Sequence, residues 1–164
     1  MFKPLPDWLK NYQYSSYLTQ TDKMALAIDL ARKNIENKTG GPFGAAIFCE
    51  NKLVSVGVNL VVSQNCPIYH AEMIAIILAD KRDFKDCELF TSVAPCAMCL
   101  GATGWANFKR IICGAREEDA RAIGFDEGEK PENWQTKFNI VEDVLRDESI
   151  EVLKTYKKNG GEIY

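Results

Sequence analysis

Only one histidine, His70, occurs in 164 residues, so histidine chemistry in this chain has a single possible seat. Positive charge is not in excess: 20 Lys and Arg stand against 23 Asp and Glu, a net charge of -3. A nucleic-acid binder would be expected to carry a basic face; Lys109-Arg110 and Lys157-Lys158 are basic pairs, and no basic run is longer than two residues. No apolar run approaches the roughly 20 residues that span a bilayer. The first ten residues, with Pro4, Pro6 and Asp7, lack the apolar core of a secretory leader. No repeat, low-complexity tract or linker divides the chain. Membrane and nucleic acid are therefore not expected partners, and a cytoplasmic location is expected.

The remaining composition is ordinary for one globular domain, 46% hydrophobic and 26% charged. Six cysteines without a leader argue for a reducing compartment and for metal-binding or core roles. Cys49, Cys66, Cys87 and Cys113 have no ligand spacing. Cys49, Cys87 and Cys113 lie in or beside strand-like runs and are expected to be small buried apolar groups.

Chemistry concentrates in two short pieces, His70-Ala71-Glu72 and Pro95-Cys96-Ala97-Met98-Cys99. The two-residue spacer lets both thiolates bite one ion, and neutral imidazole is their usual companion on tetrahedral zinc. Three protein ligands instead of four leave a position for water, the mark of a catalytic site. Glu72 is poorly placed as a fourth ligand beside His70 but well placed to move protons next to the metal. A redox Cys-x-x-Cys with an unrelated core histidine, or a closed structural zinc site, is the plainer alternative. Pro95 and the upstream His-x-Glu argue against both.

Periodicity sets these pieces in a frame. Residues 1–20 form an aromatic arm, with Phe2, Trp8, Tyr12, Tyr14 and Tyr17, packed on the body or on a partner subunit. A helix begins at Thr21 or Asp22, with Met24, Ala27, Ile28, Ala31 and Ile35 on its apolar face. Strands follow over 43–49 and 52–62 around the turn Glu50-Asn51. A largely apolar helix is expected over 70–81, a strand over 87–92, a helix over 96–106 and a strand over 110–114. A short helix over 117–122, a loop over 125–137, a strand over 138–141 and an amphipathic helix over 142–157 complete the chain. This order predicts a three-layer α/β/α sandwich around a mixed sheet of about five strands. Both metal pieces fall at helix N-termini, where the helix dipole favours thiolate and carboxylate.

The His-x-Glu and Pro-Cys-x-x-Cys pair resembles the signature of the zinc nucleobase deaminases. Together with Phe43-Gly44-Ala45 and Asn59 it makes the chain similar to the cytidine-deaminase-like superfamily. Within that superfamily, Gly41-Pro42-Phe43-Gly44-Ala45, Met98-Cys99-Leu100-Gly101-Ala102, Trp105-Ala106, Gly124-Phe125-Asp126 and the terminal Tyr164 look like the bacterial guanine deaminases. The resemblance implies a single deaminase domain over 21–164 with one zinc on His70, Cys96 and Cys99. It implies hydrolytic deamination, with zinc-bound hydroxide attacking the ring carbon that bears the amine and Glu72 shuttling the proton. Asn59 and the backbone N–H of Ala71 would bind the ring, and Phe43 and Trp105 would wall it. Asp126, Glu127 and Tyr164, on a tail over about 125–164, would close the pocket of the same chain or, by exchange within a homodimer, of its partner.

Three features depart from those enzymes: Ala94 stands where many carry glutamate, Asp126-Glu127 where two aspartates are usual, and 128–136 does not match. Guanine is the leading substrate; guanosine, cytosine or an aminated triazine are alternatives. A transfer-RNA adenosine deaminase and a non-catalytic zinc-binding module rank behind them.

Overall fold

The computed structural model describes residues 5–126 and 128–164. A short helix, α1 (Asp7–Lys10), precedes the long α2 (Gln20–Glu36). Thr19 caps α2: its hydroxyl accepts the Asp22 N–H at 3.0 Å, while the Asp22 carboxylate accepts the Thr19 N–H at 2.9 Å. This reciprocal box satisfies two amides that a helix start leaves without partners. Met24, Ala27, Ile28 and Ala31 are all buried, as their spacing predicts.

The sheet is built from β1 (Gly44–Cys49), β2 (Lys52–Val58), β3 (Cys87–Val93), β4 (Arg110–Ala115) and β5 (Ile140–Val141), in the order β2-β1-β3-β4-β5. β1 runs antiparallel to β2 and β3, whereas β3, β4 and β5 run parallel. Alternation along the strands divides their side chains between two faces. Ala46, Phe48, Phe90 and Ile112 pack with α2. Ala45, Ile47, Leu89 and Ile111 pack with Ala71 and Ala75 of α4 (Ala71–Leu78) and Leu100 of α5 (Ala97–Ala106). The last helix, α8 (Arg146–Lys158), joins α2 and meets β4 where Ser149 lies against Gly114. The three-layer sandwich with a mixed five-stranded sheet is thus as expected.

The aromatic arm packs on its own chain. Trp8 donates to the Thr39 hydroxyl at 2.9 Å, Tyr12 donates to Asp29 at 2.6 Å, and Tyr17 meets Phe48 edge-on. Phe2 lies outside the described residues.

Several elements differ from expectation for local reasons. The strand predicted to reach Val62 stops at Val58, and residues Val61–Gln64 form a helical turn, α3. The Asn59 side chain accepts the Val61 N–H at 3.2 Å and bends the chain there, overriding the strand preference of the valines. The final helix starts at Arg146 instead of 142, because Asp143 (φ 67°) and Leu145 (φ 55°) adopt left-handed backbone that no helix can contain. The 125–137 loop ends in a turn of helix, α7 (Trp134–Lys137), and α6 spans Glu117–Ile123. Cys113 is a buried thiol, as expected. Cys49 and Cys87 are not free: they face each other in the β1–β3 register and are joined as a disulfide.

Candidate metal and deaminase site

Two helix starts converge on one point. His70 is the N-cap of α4 and Cys96 the N-cap of α5, where the Cys96 sulfur accepts the Cys99 N–H at 3.5 Å. Pro95 precedes that cap, and the Ala94 N–H bonds to Ala115 O at 2.8 Å, tying the turn to β4. The β3 strand therefore delivers Cys96 directly onto the helix that carries Cys99.

His70 Nδ1 lies 3.6 Å from Cys96 Sγ and 3.8 Å from Cys99 Sγ. Tetrahedral zinc, with Zn–S near ~2.3 Å and Zn–N near ~2.0–2.1 Å, requires an N···S separation of about 3.6 Å. The ligand atoms of His70, Cys96 and Cys99 all lie within 4.8 Å of one another. One nitrogen and two sulfurs at this spacing fit zinc with little rearrangement. Hydrogen bonding with Cys99, then with His70, outweighs burial and lowers the Cys96 thiol to about 4. A thiolate at neutral pH is what metal ligation requires.

Glu72, the second residue of α4, is 6% exposed. Its Oε1 lies 3.1 Å from the Thr91 hydroxyl and its Oε2 is 3.5 Å from Cys99 Sγ. Burial, followed by the Cys96 thiolate, pushes the carboxyl above its ordinary range. A dication between the ligands would pull it down again. Thr91, which also bonds to Val93 O at 2.9 Å, is a contact the sequence analysis missed. The available signal was a polar residue in the middle of an apolar buried strand.

A cavity of about 260 Å³ opens beside the ligands, lined by Pro67, His70, Cys96, Met98, Phe125, Asp126 and Tyr164. A larger one of about 520 Å³ lies along the C-terminal tail and contains none of the ligand set; the chemistry belongs to the smaller. Tyr164 meets Phe125 edge-on at 5.2 Å between ring centres, so the tail returns to the site of its own chain.

Asn59 is 1% exposed and firmly held: its N–H donates to Phe43 O at 3.1 Å, and its own carbonyl accepts from Asn34 Nδ2 at 2.7 Å. Asn34, also unanticipated, donates to Gly41 O at 2.9 Å as well. Ala71 is the first residue of α4, where a backbone N–H has no intrahelical acceptor. Phe43 is buried and lies 5.0 Å from Phe125, edge-on. Phe125, which it touches, lines the cavity together with Tyr164. Asp126 lines the cavity rim with its side chain 77% exposed. Glu127 lies outside the described residues.

Within one chain the structure does not bring Trp105 to the site. Its side chain is 93% exposed and does not line the site cavity. It lies one turn beyond Gly101, over which nothing among the described residues packs within 4 Å, on the stripe of α5 turned away from the core.

Residues 19–115 match the family described as the cytidine and deoxycytidylate deaminase zinc-binding region. The guanine deaminase of Bacillus subtilis is 41% identical over 105 residues, covering 62% of this chain and 67% of that protein. The solved structure of the guanine deaminase from Nitrosomonas europaea superposes with a TM-score of 0.89 at 35% identity, covering 96% of each chain. A protein crystallised with 2,6-diaminopurine superposes at 0.90 with 36% identity, covering 98% of this chain and 94% of that one.

The chain therefore belongs to the cytidine and deoxycytidylate deaminase family and is a zinc-dependent hydrolase of C–N bonds in cyclic amidines. Within that family its likenesses include guanine deaminases, in one case over nearly the full length of both chains.

Proposed function

We propose that this enzyme hydrolyses guanine to xanthine and ammonia. The observation that carries the reading is that the likeness to a guanine deaminase spans 96% of both chains. A cavity of about 260 Å³ also suits a flat base, being smaller than the ~300–1,000 Å³ typical of sites for larger ligands.

In this reading His70, Cys96 and Cys99 hold one zinc ion. Zinc bound there supplies a hydroxide nucleophile at neutral pH. Glu72 takes the proton released by the attacking water, delivers it to a ring nitrogen and assists departure of ammonia. Thr91 holds the Glu72 carboxylate in place. Asn59 and the Ala71 N–H orient the ring, Phe125 covers one edge with Phe43 behind it, and Asp126 and Glu127 accept from the base's N–H donors. Tyr164 closes the pocket in cis.

A homodimer accompanies this proposal. Trp105 on α5 and Ile77 on the neighbouring α4 leave large apolar surfaces exposed, 93% and 48%, which a second copy would cover. For a cytoplasmic location the support is the site itself, where Cys96 and Cys99 must stay reduced to bind metal, and the Cys49–Cys87 disulfide weighs against it. No helix among the described residues is long and apolar enough to cross a membrane. A net charge of -3 gives the transfer-RNA reading no support.

The test is ammonia release from the zinc-loaded protein, with guanine and guanosine side by side and cytosine, adenine and an aminated triazine beside them. Turnover of guanine and rejection of guanosine are expected. Silence on guanine with turnover of another ring would overturn the substrate assignment.

A further inference from the structure

We infer that Gly41 is a specificity-determining residue: its missing side chain is the seat of the Tyr164 hydroxyl, and that seat decides whether the pocket excludes a base carrying ribose. The inference rests on the free-base reading above and concerns what enforces it.

A Cβ at Gly41 would lie 2.4 Å from Tyr164 Oη, 3.3 Å from its Cζ and 3.1 Å from Asn59 Oδ1. Comfortable non-bonded contact begins near ~3.5 Å, so any side chain at this position must displace one of those neighbours. The Gly41 backbone is not in the left-handed region. Alanine is therefore acceptable to the local backbone, and the whole conflict falls on the two side chains.

Asn59 has little freedom to yield. It is 1% exposed and held through its backbone N–H, its carbonyl and its side-chain oxygen. Tyr164 ends a segment without regular secondary structure and is 39% exposed. That segment is pinned at a few points. Gly160 turns it with φ 69°, and Gly161 crosses the Tyr156 ring, where a Cβ would sit 2.4 Å from Cζ. The Tyr156 hydroxyl donates to Glu162 O at 2.7 Å, and Ile163 rests over Gly124. The 520 Å³ cavity lined by Gly40, Tyr156, Gly161 and Glu162 gives the tail room to shift. A methyl group at Gly41 therefore lifts Tyr164 and leaves Asn59 in place. Because Tyr164 is one wall of the substrate cavity, lifting it opens the pocket to a ribosyl group.

The experiment compares zinc-loaded full-length wild type, Gly41→Ala, Tyr164→Ala and the double variant. Metal content, kcat and KM for guanine and guanosine, and amide hydrogen exchange of residues 161–164 are measured for each. Gly41→Ala should retain zinc, raise KM for guanine about tenfold with a smaller effect on kcat, and admit guanosine. Exchange in the tail should accelerate about tenfold or more, since its anchoring is weakened. In the Tyr164→Ala background, Gly41→Ala should have no further effect, within about twofold. Combining Gly41→Ala with Tyr164→Phe, which removes the closest clashing atom, should restore most of the tail protection.

Additive losses in the double variant would place the effect on Asn59 and overturn the inference. So would unchanged tail exchange in Gly41→Ala. If wild type leaves guanine untouched, the guanine reading fails, while the exchange pattern across the five proteins still decides the seat.

Discussion

Replacing Glu72 with glutamine tests the central chemistry with little structural disturbance. The side chain keeps its length. Its carbonyl oxygen can still accept from Thr91, now 3.1 Å from Oε1, and its amide can donate to Cys99 Sγ, now 3.5 Å from Oε2. His70, Cys96 and Cys99 are unaltered, so zinc should stay. What disappears is the ability to take and return a proton. General acid–base catalysis by one group contributes about 10²–10⁴-fold. Glu72 is assigned both halves of the transfer within one turnover, so a loss near ~10³–10⁴ is expected, or about 4–5.5 kcal/mol of activation free energy. Ammonia release, read beside metal content, is the assay. A variant within about tenfold of wild type with full zinc would refute the assignment of Glu72.

The same substitution carries a stability prediction of definite sign. In the metal-free protein, burial, then the Cys96 thiolate, raises the Glu72 carboxyl above the ordinary carboxylate range. The folded state then holds this proton more tightly than the unfolded state. Stability is therefore lost as pH rises from the unfolded value through the folded one. Glutamine has no such penalty. Metal-free Glu72→Gln should melt above metal-free wild type at pH 7, with the gap closing toward pH 4. A lower melting temperature for the variant at pH 7 would show that burial is not what governs this carboxyl.

Three further outcomes are expected. Thr91→Val keeps the shape of a residue 2% exposed but removes the hydroxyl holding Glu72. Loss of a hydrogen bond to a charged group, worth ~1.5–3 kcal/mol, should lower kcat about 10- to 100-fold at unchanged zinc, and an unaltered kcat would dismiss the positioning role. His70→Ala should abolish zinc retention on dialysis together with activity, because only two thiolates remain; full metal content in that variant would mean a different ligand set. Trp105→Glu should convert a dimer to monomer in sedimentation experiments by placing a charge on the exposed α5 stripe, and a wild-type protein that sediments as a monomer would exclude the interface.

Local chemistry that recurs at short spacing was legible without coordinates. His70, Cys96 and Cys99 announce a metal site because ligand type and helix-start spacing are properties of a few consecutive residues. The cluster does assemble, with separations of 3.6 and 3.8 Å. Helical periodicity likewise identified the buried face of α2, since the positions 24, 27, 28 and 31 repeat within one element.

What required the tertiary structure was every relation between elements distant in sequence. The Cys49–Cys87 pairing depends on the β1–β3 register, which neither strand encodes alone. Thr91 matters only because β3 runs beneath the start of α4. Trp105 has the composition of a pocket wall, but the rotation of α5 about its axis turns that ring outward. Phe125 instead reaches the cavity, since the loop after α6 returns there. The notch at Gly41 brings together residues 41, 59 and 164, and no pattern in the chain marks three positions that meet only when the tail folds back. Periodicity reports which side of an element is buried; what that side meets is set by packing among elements.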